Sequence, residues 1–208
     1  MSALDLRLIV ITDARLAAPR RVADVVAAAI AAGAPAVQLR DKHATTRDLV
    51  EQARSLLPIV HGAGARLMIN DRLDVALAAG ADGVHLGPDD LPIVAARRIA
   101  PTGFVIGAST DDPGLARRAQ ADGADYIGCG AVFGTTTKPD AASERIGIAG
   151  LDAVASAVHI PVVGIGGITT ENVAQVAATR AAGAAVVGAV MTADDVGAAV
   201  RSLLEAFA

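Results

Sequence analysis

The chain has 208 residues, which allows one domain and sits near the lower size of a (β/α)8 barrel, about 200 residues. Hydrophobic residues make up 53% and aromatics 2%, so Ala, Val, Leu and Ile must fill the core. A net charge of −4 with no basic run argues against a nucleic-acid or membrane partner, and a lone cysteine, Cys129, excludes an intrachain disulfide framework and fits a reducing compartment. The first residues, as far as Asp13, lack the basic start, long apolar stretch and cleavage site of a signal peptide. No uninterrupted apolar run reaches about 18 residues. The expectation is a cytoplasmic protein with no membrane span.

Apolar runs predict strands near 7–12, 35–40, 66–70, 83–86, 104–109, 125–129, 161–165 and 185–188. Helical periodicity fills the gaps, as from Val22 to Ala32 and from Thr46 to Leu57. Thr46, Thr170 and Thr192 stand where N-caps are wanted, with acids in the turns that follow. Ala-Ala-Gly-Ala occurs at 31–34, 78–81 and 181–184, and Ala-Asp-Gly-Ala at 121–124, each directly before a strand. That is the pattern of a helix ended by a left-handed glycine, here Gly33, Gly80, Gly123 and Gly183. Eight strands alternating with helices predict a single α/β domain over 1–208, a (β/α)8 TIM barrel, with an open doubly wound sheet as the alternative. The longest irregular stretch, 130–147, is rich in Gly, Thr and charge.

In such barrels the site lies at the C-terminal ends of the strands. The second strand runs out through Gln38-Leu39-Arg40-Asp41-Lys42. Alternation puts Val37 and Leu39 under the helices and leaves Gln38 and Arg40 facing the barrel mouth, with Lys42 nearby. Two cations there suit a diphosphate, while a structural ion pair with Asp41 or another acid is the plainer reading. The third strand ends Ile69-Asn70-Asp71-Arg72, and the fourth is followed by Gly87-Pro88-Asp89-Asp90. Asp71 and one acid of the second pair could hold Mg²⁺, which favours few protein ligands plus waters and phosphates. Each of these acids could equally cap the helix that follows. Ser109 closes the fifth strand and could bond a substrate or merely a turn.

Gly134-Thr135-Thr136-Thr137-Lys138 offers three hydroxyls beside a lysine, an anion grip or a solvated loop. Gly167 after strand seven and Val187-Gly188 at strand eight stand where backbone amides often hold phosphate. His85 reads as a structural, inward-facing residue, Cys129 as a small buried packer, and His43, His61 and His159 as loop or helix-end residues. The residues form no Ser-His-Asp, Cys-His or zinc pattern.

Read together, these pieces resemble the thiamine phosphate synthase family. The resemblance adds Val84-His85-Leu86-Gly87-x-x-Asp90, Gly107-x-Ser109, Asp125-Tyr126-Ile127-Gly128-x-Gly130, Phe133-x-Thr135-x-Thr137-Lys138-x-Asp140 and Gly164-Ile165-Gly166-Gly167-Ile168, and spans essentially the whole chain. It implies a transferase that joins a hydroxymethylpyrimidine diphosphate to a thiazole phosphate with Mg²⁺, giving thiamine monophosphate and pyrophosphate. Carried over, Gln38, Leu39, Arg40, Asp41, Lys42, Asn70, Ser109 and Lys138 would hold the pyrimidine diphosphate. Arg40, Lys42 and Lys138 would drive catalysis, and Asp71 and Asp90 would bind Mg²⁺. Thr135, Thr136, Thr137, Gly167, Val187 and Gly188 would hold the thiazole phosphate.

Departures from the family pattern are Asp41, Pro88, Asp89, Gly134 and Gly188, where Glu, Gln, Glu, Pro and Ser are usual. A related thiazole tautomerase carries a catalytic His where this chain has Ala131, which argues against that isomerase. A non-catalytic phosphate sensor on the same barrel would have no need to keep Asp71, Asp90 and Lys138. The partners implied are two phosphorylated small molecules, and the sequence leaves oligomeric state open, a homo-oligomer included.

Overall fold

Eight parallel strands close into a barrel in the computed structural model, which describes residues 4–134 and 145–208. They are β1 (Leu8–Ile11), β2 (Ala36–Leu39), β3 (Arg66–Asn70), β4 (Gly83–Leu86), β5 (Val105–Ser109), β6 (Tyr126–Cys129), β7 (Val162–Ile165) and β8 (Gly183–Val186). Each strand pairs with its neighbour in chain order, and β1 closes on β8 through Leu8 opposite Ala184 and Val10 opposite Val186. Between and after them lie α1 (Ala14–Ala17), α2 (Val22–Ala31), α3 (Thr46–Gly62), α4 (Leu73–Ala79), α5 (Ile93–Ile99), α6 (Pro113–Ala121), α7 (Gly147–Ala157), α8 (Val173–Ala177), α9 (Gly188–Met191) and α10 (Val196–Glu205). No helix among the described residues is long and apolar enough to cross a membrane.

The two-residue period of a strand sorts the core into two layers. Leu8, Val10, Val37, Leu39, Leu67, Ile69, Val84, Ile106 and Ile127 face the helices. Ile9, Ile11, Ala36, Met68, Val105, Tyr126, Val163 and Ala185 fill the barrel interior. Tyr126, the one tyrosine of the chain, is fully buried there. Space for its ring comes from Gly107, where an added Cβ would overlap the Cζ, Cε1 and hydroxyl edge of Tyr126. Gly128 does the same for His85, since a Cβ there would lie 2.7 Å from His85 Cε1.

Three of the four predicted junction glycines, Gly33, Gly80 and Gly123, have the expected left-handed backbone, with φ of 98°, 78° and 101°. Gly183 does not. It opens β8, and its Cα packs so tightly on the Leu6 carbonyl and Arg7 that any side chain would overlap them. Strand eight therefore starts two residues earlier than the apolar run implied, and Val187 and Gly188 belong to the start of α9.

The predicted caps shift too. Thr45, not Thr46, caps α3, because its hydroxyl can then accept from the Asp48 amide (3.2 Å) while donating to the Asp48 carboxylate (2.7 Å). Asn172 stands at the N-cap of α8 in place of Thr170, and Thr192 closes α9 by donating to the Gly188 carbonyl. Helix α3 also runs on past Leu57 and Pro58 to Gly62, anchored by buried Val60 beyond the proline.

Candidate active site at the strand ends

The interior-facing residue at the end of β2 is Gln38, buried at 3% exposure, whose amide donates to Asn70 Oδ1 at 2.7 Å on β3. A buried amide at that depth must be bonded, and this bond fixes the orientation of Asn70 at the mouth. Arg40 follows on the same face. Its backbone is clasped by Thr12, which accepts from the Arg40 amide (2.9 Å) and donates to its carbonyl (3.1 Å). The guanidinium lies 3.8 Å from the Asp13 carboxylate, and both side chains are mostly covered. Asp13 also caps α1 by accepting from the Arg15 and Leu16 amides. No sequence pattern singled out Asp13, which follows β1 by two residues, after Thr12.

Leu39 turns outward into the core beneath the helices, so only its backbone can meet a ligand. The Asp41 carboxylate accepts from the His43 and Ala44 amides, at 2.9 and 3.1 Å, and shapes the loop that carries exposed Lys42.

Asp71 comes directly after β3, half-buried, with a left-handed backbone (φ 64°) and its amide donating to the His85 carbonyl at 2.8 Å on β4. A non-glycine residue in that region costs roughly 1–2 kcal/mol and persists where its surroundings impose it, often at functional sites. The helix-cap alternative fails for Asp71, because α4 begins after Arg72 and has no side-chain cap. It fails for Asp89 and Asp90 as well, since α5 begins after Pro92 with no side-chain cap. Asp90 instead accepts from the Gly87 amide at 2.7 Å, bracing the turn after β4, while Asp89 is exposed. Among the described residues no group of three or more His, Cys, Asp or Glu could hold a metal ion. Two carboxylates on adjacent strand ends still match a Mg²⁺ site completed by phosphate and water.

Ser109 ends β5 with its hydroxyl 2.8 Å from His85 Nε2, and His85 Nδ1 lies 2.8 Å from the Tyr126 hydroxyl. His85 does face inward, as one reading of β4 had it. Burial pushes the Tyr126 phenol far above the usual tyrosine range. Burial also pushes the Cys129 thiol up to about 12, with Asp111 adding to the effect, in keeping with a packing role.

Across the mouth, Gly166 and Gly167 have φ of 99° and 65°. A Cβ on Gly167 would lie 2.7 Å from the Gly134 carbonyl, so close approach to the long loop adds to the need for glycine. Asn172 holds the turn by donating to the Gly167 carbonyl and accepting from the Thr169 amide, both at 2.9 Å. Val187 and Gly188 start α9 at the end of β8, beside β7. A Cβ on Gly188 would meet open space, so nothing around that backbone forces a glycine there. Thr135, Thr136, Thr137 and Lys138 lie outside the described residues.

A closed parallel barrel with polar side chains gathered at its strand ends defines a barrel enzyme. The family model described as thiamine monophosphate synthase matches residues 8–190. A thiamine-phosphate synthase of Chloroflexus aurantiacus is 50% identical over 200 residues, covering 96% of this chain and 92% of that protein. One from Methanoculleus marisnigri is 49% identical over 201 residues, covering 97% and 95%. The solved structure of a thiamine phosphate pyrophosphorylase from Pyrococcus furiosus superposes with a TM-score of 0.89 at 43% identity, covering 98% of this chain and 96% of that one. The chain belongs to the thiamine monophosphate synthase family and is an enzyme of the transferase class.

Proposed function

We propose that the chain condenses a hydroxymethylpyrimidine diphosphate with a thiazole phosphate, releasing pyrophosphate and forming thiamine monophosphate. The observation that carries this reading is family membership over nearly the whole chain, supported by Gln38 bonded to Asn70 and Ser109 bonded to His85 at the strand ends. In the reaction the C–O bond between the pyrimidine methylene and the diphosphate breaks, and the electron pair leaves with the diphosphate. The thiazole nitrogen then donates its lone pair to the pyrimidine cation and forms the new C–N bond.

Such a route needs charge stabilisation on the leaving group more than a base. Arg40 offers a planar fork to the diphosphate from a backbone locked by Thr12. Lys42 and Lys138 would add point charges to the same oxygens. Asp13, 3.8 Å from the guanidinium, steadies the mostly covered Arg40 side chain. Asn70, oriented by Gln38, and Ser109 would hold the pyrimidine half. Asp71 and Asp90 are the residues that would hold Mg²⁺, which when bound neutralises diphosphate charge. Thr135, Thr136, Thr137 and the backbone at Gly167, Val187 and Gly188 would hold the thiazole phosphate as a second anion site.

An assay of purified protein with both substrates and Mg²⁺ tests the reading. Thiamine monophosphate and pyrophosphate are expected in equal amounts. Folded protein that yields neither would refute it. The isomerase alternative has no support, because Ala131 offers no proton-transfer group where the related tautomerase has its histidine.

A further inference from the structure

Beneath the mouth, a chain of polar groups runs through the barrel interior from Met68 to Tyr126, His85 and Ser109. The Tyr126 phenol has one proton and two acceptors in reach, His85 Nδ1 at 2.8 Å and the Met68 thioether at 3.5 Å. A thioether is a weak acceptor, so the imidazole nitrogen takes the proton. Deep burial keeps the phenol neutral and able to donate.

With Nδ1 accepting, a neutral imidazole carries its hydrogen on Nε2. That hydrogen points at Ser109 Oγ, 2.8 Å away. One serine lone pair is then occupied, and the serine's own proton is left to serve another acceptor. Both rings fit only because residues 107 and 128 are glycines.

We propose that His85, set by Tyr126, is a positioning residue that makes the Ser109 hydroxyl a hydrogen-bond donor toward an acceptor atom of the bound pyrimidine diphosphate. The identity of that ligand rests on the function proposed above. The acceptor is either a ring nitrogen or a phosphate oxygen, since both lack a hydrogen of their own.

Two measurements test the assignment. Nitrogen-15 NMR of histidine-labelled protein, with the His85 signals assigned through His85→Gln, is expected to show protonated Nε2 and unprotonated Nδ1 at neutral pH. The opposite tautomer would overturn the proposal. This measurement uses the native chain and stands even if the substituted forms do not fold.

The second is a double-mutant cycle read by calorimetry with the pyrimidine diphosphate. Tyr126→Phe should weaken binding by about tenfold when Ser109 is present and have no effect in Ser109→Ala. An equal loss in both backgrounds would mean a purely structural role and would also overturn it. Parallel titrations with the hydroxymethylpyrimidine alone and with pyrophosphate alone assign the acceptor by which of them Ser109→Ala weakens; an effect on neither counts against the proposal. Wild-type protein that binds the pyrimidine diphosphate but forms no product would refute the proposed reaction while leaving this assignment supported.

Discussion

At the scale of single residues, Arg40 and Asp71 are each constrained by neighbours from another strand end. Arg40 has its backbone held from both sides by one threonine hydroxyl and its charge steadied by Asp13. Asp71 sits in a backbone conformation that side chains rarely adopt. Asp71→Ala is expected to raise the Mg²⁺ concentration for half-maximal rate by about tenfold or more, the effect of losing roughly 1.4 kcal/mol of ligand contact. Unchanged rate and Mg²⁺ response would remove Asp71 from the metal site. Lys138→Ala should lower kcat by about a hundredfold if that lysine stabilises the departing diphosphate, as steady-state kinetics would show. The inward direction of Gln38 was legible in the sequence from strand alternation, and Asn70 and Ser109 from their places at the ends of their strands. Asp13 was not, because its part depends on where the Arg40 guanidinium travels. The link between His85 and Tyr126 was also hidden, since it reaches from β4 to β6 past a glycine on β5.

At the scale of elements, two of the repeated units share a clamp. Asp82 ends the turn before β4; its amide donates to the Leu67 carbonyl (2.9 Å) and its carboxylate accepts from the Leu67 amide (2.7 Å). Asp125 brackets Ile106 before β6 in the same way, at 2.8 and 2.7 Å. A nitrogen-bearing side chain backs each carboxylate, the His61 imidazole for Asp82 and the Arg97 guanidinium for Asp125. Asp125→Ala would leave the Ile106 amide without its side-chain acceptor and should cost about 1–3 kcal/mol, lowering Tm by roughly 2–4 °C for each kcal/mol. An unchanged Tm in thermal unfolding would show that the clamp adds nothing. The helix-ending glycines were read correctly at three junctions because a left-handed residue between helix and strand has a strong local signature. Gly183 carries the same local sequence but answers to a distant constraint, the approach of Leu6 and Arg7, which no window around residue 183 contains.

For the whole molecule, the barrel keeps two acidic groups in dry surroundings, the Tyr126 phenol and the Cys129 thiol. The thiol is pushed from 9.0 to about 12, and the phenol is raised as well. Above pH 9 the unfolded chain loses these protons while the folded chain keeps them. The unfolded state then binds fewer protons, so stability falls as pH rises, by at most about 1.4 kcal/mol per pH unit for each group. Denaturant titrations at pH 8, 9.5 and 11 should show a progressive loss that Cys129→Ala reduces above pH 9. The barrel itself was legible from eight alternating runs, whereas the filling of its interior was not, because which side chains meet across a closed sheet depends on register.

That filling has a bearing on how such a chain can change. Tyr126 occupies volume that a side chain at 107 would need, and His85 occupies volume that one at 128 would need. The two glycines are therefore the empty halves of two filled pairs. A lineage could enlarge position 107 only after giving up the tyrosine, and position 128 only after giving up the histidine. Ancestry at these sites would then move by paired exchanges, with each glycine and its ring inherited as one character.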